Sequence, residues 1–437
     1  MRHKTRPSAN ILRKPGESLF TRGRGWGSVA AGSQFWDGMF ARLCFALLAA
    51  GCLLTPAAAA DLVTDCHDCP ELVIAGDTLA ALPDGHLSPF RGYSDAVLRQ
   101  DPDIPGRIHL VYSWPNIWFD AARRAHASVE PHYAISSDGG RSFRFAGVLH
   151  KPDAITDADG AAGHIALETP NILPVTVGGR SFWVGAFLQY LVPDAGGLGA
   201  RRLGTFHIAV VTGTSPQTLD WSGALRLGAA GTELEWQNVN LTRLSRQLSG
   251  CTIWSEPALA YDRGYLYLAL TCGAFQKGKP DLAHSGIVLF STQPEGAPSL
   301  WQWHYNGMLA GAREAAALGG QHLSQTELAK TRDGAWMALF TVDDWDPSKK
   351  DFVHKGCIGL TVASLANVLL ARDKAGRFVE RAIVSPLMGE TGDSAACAYD
   401  PASATGILAG WRQKPAPGAP RNNTDLTLVQ RVSGLRP

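Results

Sequence analysis

The chain predicts an all-β fold: a single five-bladed β-propeller of four-stranded antiparallel blades over residues 61–437. Three observations carry the expectation. First, 47 glycines, 26 prolines and 13 tryptophans among 437 residues suit a turn-rich β protein with aromatic packing. Second, five stretches repeat one plan: a small or acidic start, an apolar strand, a turn, and a second apolar strand. Third, further apolar segments follow each stretch at strand length and complete the blade.

The repeats begin at "YSDAVLRQDPDIPGRIHLVYSW", "ALETPNILPVTVGGRSFWVGAF", "WSEPALAYDRGYLYLALTC", "SQTELAKTRDGAWMALFTV" and "DSAACAYDPASATGILAGW". Aligned, they place Asp95, Glu168, Glu256, Glu327 and Ser394 at one position, 67 to 88 residues apart. Asp101, Asp262, Asp333 and Asp400 follow at the turn. Third strands read "HYAIS", "HIAVV", "HSGIVLF", "HKGCIGL" and "TDLTLVQ". Fourth strands read "FRFAGVL", "DWSGALRL", "WQWHYNGML" and "RFVERAIV", and the fifth blade has none. The N-terminal segment "ELVIAGDTL" is expected to complete that blade beside "TDLTLVQ", leaving no open sheet edge.

Residues 1–60 read as a removable leader. From Met39, "MFARLCFALLAAGCLLTPAAAADLV" has a short apolar run behind Arg42 and small residues before a cleavage site near Ala60/Asp61. The run is too short to span a membrane. A secreted or periplasmic protein is expected, with no stable membrane insertion after cleavage. Residues 1–38 are basic and aperiodic, which leaves translation starts at Met1 and at Met39 both open. A net charge of +1 excludes a nucleic-acid partner, because phosphate binding needs a basic surface. The sequence does not specify an oligomeric state.

Cleavage leaves Cys66, Cys69, Cys251, Cys272, Cys357 and Cys397. An even number in an exported chain points to disulfides, and six cysteines allow 15 pairings. Cys251 and Cys272 flank one hairpin and are expected to pair. Cys66 and Cys69 in "DCHDCPELVIAG" are expected to form a local bridge, the rival readings being a redox or a metal CxxC.

The stretch "SSDGGRSF", Ser136–Phe143, resembles the Asp-box (BNR repeat) of the sialidase-like β-propeller superfamily. Asp138 can accept bonds from the turn's own amides, and the glycines allow positive φ. This turn joins third and fourth strands, so it should lie on the face opposite the acidic strand starts and act as a hairpin clasp.

The acids themselves should surround the mouth of the central channel. There they resemble the carboxylates of five-bladed glycosidases of the arabinanase, invertase and levansucrase type, with Glu standing where blade two of those enzymes has Asp. The resemblance implies that Asp95 is base or nucleophile, Glu168 an orienting acid, and Glu256 the proton donor. Such chemistry needs one ionised and one protonated carboxyl. The same series, Asp95, Glu168, Glu256, Glu327 and Ser394, also resembles the axial ligands of five-bladed calcium-dependent nucleotidases, which implies calcium. A third reading has the acids merely capping strand ends.

Arg91, Arg180 and Arg412 are candidate contacts for a polar substrate, and Trp114 and Trp118 in "SWPNIWFDAARRAH" are candidates for stacking on a sugar. His132, His207, His284 and His354 each open a third strand, where they either bond within their own blade or converge on a metal. Two functions are expected from this reading. One is an exported glycoside-hydrolase-like propeller acting on carbohydrate or another small polar ligand. The other is a non-catalytic binding propeller with an axial structural ion.

Overall fold

The computed structural model describes residues 72–77, 93–119, 125–196, 200–276, 279–348, 351–384, 392–413 and 426–432, which all fall in one unit, Thr55–Pro437. The leader, Cys66, Cys69 and Arg91 lie outside the described residues. The fold is an all-β propeller. Its sheets have inner strands at Ser94–Gln100, Ala162–Val177, Ile253–Asp262, His322–Lys330 and Gly392–Tyr399. Each inner strand pairs antiparallel with the next strand in sequence, so every sheet starts as a hairpin at the axis and grows outward. Neighbouring inner strands touch around the ring, and the strand of the fifth sheet returns to that of the first.

Apolar side chains explain the stacking. Five clusters of buried residues each fall between two consecutive sheets. Trp254 packs between the second and third, Phe340 between the third and fourth, and Ile407 between the fourth and fifth. Leu98 with Ala398 and Leu408 seals the fifth sheet to the first, and Val97 with Phe187 seals the first to the second. The strands carry apolar residues on both faces because both faces meet another sheet.

Two expectations are corrected here. Four-stranded blades hold as a minimum for four sheets, which have five, six, four and five strands, but the fifth has three among the described residues. The N-terminal strand does not complete that fifth sheet. Ile74–Ala75 instead pairs parallel with Phe143–Val148 on the outside of the first. The reason is local: Leu72 and Ile74 bury against the first sheet's own core, and Asp77 accepts a 2.5 Å bond from Tyr112 Oη. The fifth sheet is held by turns instead. Ala404 N donates to Gly139 O and Thr405 Oγ1 to Gly140 O, both at 2.6 Å, and Gln100 N donates to Asp400 Oδ2 at 2.9 Å.

Among the described residues two disulfides brace the ring. Cys251–Cys272 pairs as expected within the third sheet. Cys357–Cys397 ties the fourth sheet to the inner strand of the fifth.

Candidate active site

Each inner strand carries a β-bulge one to six residues into its pairing. The register slips between Ser94 and Val97, Glu168 and Asn171, Ser255 and Ala258, Ser324 and Glu327, and Ala395 and Ala398. One residue of each bulge has left-handed backbone: Asp95 (φ 53°), Thr169 (48°), Glu256 (52°), Gln325 (44°) and Ala396 (50°). A left-handed conformation costs about 1 kcal/mol or more in a residue with a Cβ, and most in a β-branched one such as Thr169. Strain repeated at the same place in five strands marks that place as more than a strand end.

These bulges correct the alignment read from sequence. Asp95 and Glu256 are structural equivalents, but Glu168 stands one position early and Glu327 two late; the true counterparts are Thr169 and Gln325. Counting back from the turn could not reveal this, because the stretch from bulge to turn varies in length: Asp101 and Asp262 follow their bulge residues by six positions, and Asp333 follows Gln325 by eight. The fifth counterpart is Ala396, not Ser394, whose side chain lies outside the described residues.

The five bulge residues line one axial pocket, open to solvent, with Thr326 and Glu327 also in its wall. Asp95 and Glu256 are half-buried in it. Asp95 Oδ2 accepts from Ser94 Oγ at 3.1 Å, and Oδ1 from Gln325 Nε2 at 2.9 Å. Burial pushes the Asp95 carboxyl up to about 6, helped by the charge of Glu168 and opposed by bonds from Ser113 and Ser94. Glu256 is raised well above the ordinary range, first by burial and then by the charges of Asp95, Glu168 and Asp343. The two carboxyls thus differ in proton affinity, Glu256 being pushed the more strongly toward its protonated form.

Other candidate residues fall outside that pair. Glu168 accepts from Tyr190 Oη at 2.5 Å and from Arg201 at 3.3 Å, and its charge reaches both pocket acids. Glu327 is committed below them to a buried ion pair with Arg99 and a 2.9 Å bond from Asn171 Nδ2. Trp114 is 7% exposed and stacks on His132 at 4.5 Å, inside an extended hairpin where a loop was expected, so it cannot cover a substrate. Arg180 is at the hairpin turn, the far end of its inner strand from Glu168. The side chains of Trp118 and Arg412 lie outside the described residues.

The histidines stay within their blades. His132 Nδ1 meets Asp77 at 3.0 Å, His207 meets Gln189 at 2.9 Å, His284 meets Asp281 at 2.8 Å, and His354 meets Asp343 at 2.6 Å. Among the described residues no three of His, Cys, Asp or Glu group closely enough to hold a metal. In the turn resembling an Asp-box, Asp138 Oδ1 accepts from the Arg141 and Ser142 amides at 3.0 Å. That turn sits on the face away from the pocket, against the Asp400–Thr405 turn.

No family model and no curated protein matches the chain. Among solved structures it is similar to the catalytic domain of a GH62 α-L-arabinofuranosidase from Coprinopsis cinerea, at 11% identity over 82% of this chain and 97% of that one (TM-score 0.41). It is also similar to an arabinanase from Bacillus subtilis, at 12% identity over 77% and 95% (TM-score 0.38). A third likeness is to a sucrose-6-phosphate hydrolase from Lactobacillus gasseri, at 11% identity over 79% and 61% (TM-score 0.41). Likenesses of this degree say nothing of this chain's chemistry.

Proposed function

We propose that this chain is a five-bladed glycoside hydrolase that cleaves a carbohydrate in the axial pocket. One observation carries the reading: two carboxyls on equivalent strained bulges enter one pocket with their proton affinities driven apart. Glycoside hydrolysis uses two such carboxyls, one giving a proton and one acting ionised. Glu256 gives its proton to the departing glycosidic oxygen. Asp95, ionised above about pH 6, acts on the opposite side as base or nucleophile. Glu168 stays bonded to Tyr190 and Arg201, and its charge helps to keep the proton on Glu256. The two buried disulfides support a working place outside a reducing cytoplasm, secreted or periplasmic. We read the resemblance of Ser136–Phe143 to an Asp-box as an architectural likeness to the sialidase-like superfamily, without its chemistry.

A second reading keeps the pocket and drops the chemistry: an axial calcium ion holds the ring together in a binding protein. The buried hydroxyls of Thr169 and Thr326, which have no hydrogen-bond partner, favour it. A panel of aryl glycosides and oligosaccharides, assayed with and without a chelator, separates the two. Oligosaccharide turnover that survives the chelator and disappears in Glu256→Gln, at an unchanged melting temperature, supports the hydrolase. Absence of turnover together with a calcium-dependent melting temperature supports the ion.

A further inference from the structure

We propose that Gln325 is a positioning residue that orients and holds ionised the carboxylate of Asp95, a proposal that rests on the hydrolase reading of the pocket. Gln325 is 230 residues from Asp95 in sequence, yet occupies the equivalent left-handed bulge position across the mouth. Its Nε2 donates to Asp95 Oδ1 at 2.9 Å. Its Oε1 accepts from Thr341 Oγ1 at 3.2 Å.

The amide cannot turn round without loss. Thr341 Oγ1 already accepts the Ala396 amide at 2.9 Å, so its hydrogen is free to be given to Oε1. Reversing the amide would set a carbonyl oxygen against a carboxylate and leave the Thr341 hydroxyl hydrogen without its acceptor. Gln325 therefore presents an N–H to Asp95, and Ser94 holds the other carboxylate oxygen at 3.1 Å. Two donors on two oxygens fix the plane of the group, which a base or nucleophile must keep for a reacting atom to be in line. The residue type is also selective. A glutamate here would put another carboxylate in direct contact with Asp95, and an apolar residue would remove a donor from the ionised form.

The test is a carbon-13 NMR titration of the Asp95 carboxyl in the full chain, identified by its loss in Asp95→Asn. Removing the donor in Gln325→Met should move the Asp95 titration upward by about one pH unit. Gln325→Glu should move it further, by like-charge repulsion. Gln325→Asn, whose shorter amide falls short of the carboxylate, should behave as Gln325→Met does and serves if that variant does not fold. An Asp95 titration unchanged in a folded Gln325→Met or Gln325→Asn overturns the proposal. The same titration stands apart from the hydrolase reading: a shift without any glycoside turnover keeps the Gln325–Asp95 coupling and removes the hydrolase, and turnover without a shift does the reverse.

Discussion

At the scale of single residues, the pocket is a place where the chain sacrifices stability. Asp95 has an unfavourable backbone conformation and a carboxyl pushed up to about 6 from the ordinary 3.8. Because the folded-state value is the higher one, ionising Asp95 opposes folding. The penalty is absent below pH 3.8, develops between 3.8 and 6, and is complete above 6. Asn tolerates left-handed backbone as Asp does and carries no charge. Asp95→Asn should thus melt with the wild type near pH 4 and be more stable near pH 8, by about 3 kcal/mol. Chemical denaturation at the two pH values checks this; equal stabilities at both would mean that Asp95 ionises without cost.

At the scale of elements, the inner strands show what a sequence can and cannot tell. The apolar runs, the Asp-rich turns and the Cys251–Cys272 pair were legible because each is a local pattern. The exact position within each strand was not. Glu327 looked like the partner of Asp95 and Glu256 by spacing, but the bulge at Ser324–Glu327 turns it down to Arg99 and raises Gln325 in its place. Gln325 left no signal, since an amide between Ser324 and Thr326 reads as an ordinary polar strand end. Cys357–Cys397 was illegible too, because it joins different sheets. The two glutamates should now part company on substitution. Glu327→Gln leaves Arg99 as a buried charge without its counter-charge and should cost about 3 kcal/mol. Glu256→Gln mimics the protonated form and should leave stability nearly unchanged. Urea unfolding of both variants decides it, and equal losses would contradict the bulge register.

At the scale of the whole molecule, the ring is closed by turns and packing where a shared strand was expected. The Asp138 turn grips the Asp400–Thr405 turn through the carbonyls of Gly139 and Gly140. Gly140 has φ 85°, and a Cβ there would overlap the Ser403 hydroxyl and come within 2.8 Å of Thr405 Oγ1. Gly140→Ala should cost about 3 kcal/mol, and hydrogen exchange should speed up in the fifth sheet before any other. Uniform protection with unchanged stability would show that the turn does not hold the ring. The ring in turn sets Asp95 and Glu256 across one pocket, and their division of labour is the central claim. The most direct measurement is the dependence of turnover on the leaving group. Glu256→Gln should lose at least about a hundredfold on alkyl glycosides, which need a proton donor, and keep most of its rate on 2,4-dinitrophenyl glycosides, which do not. Asp95→Asn should lose both. Equal losses on the two substrate types in Glu256→Gln, or full activity in either variant, would contradict the account.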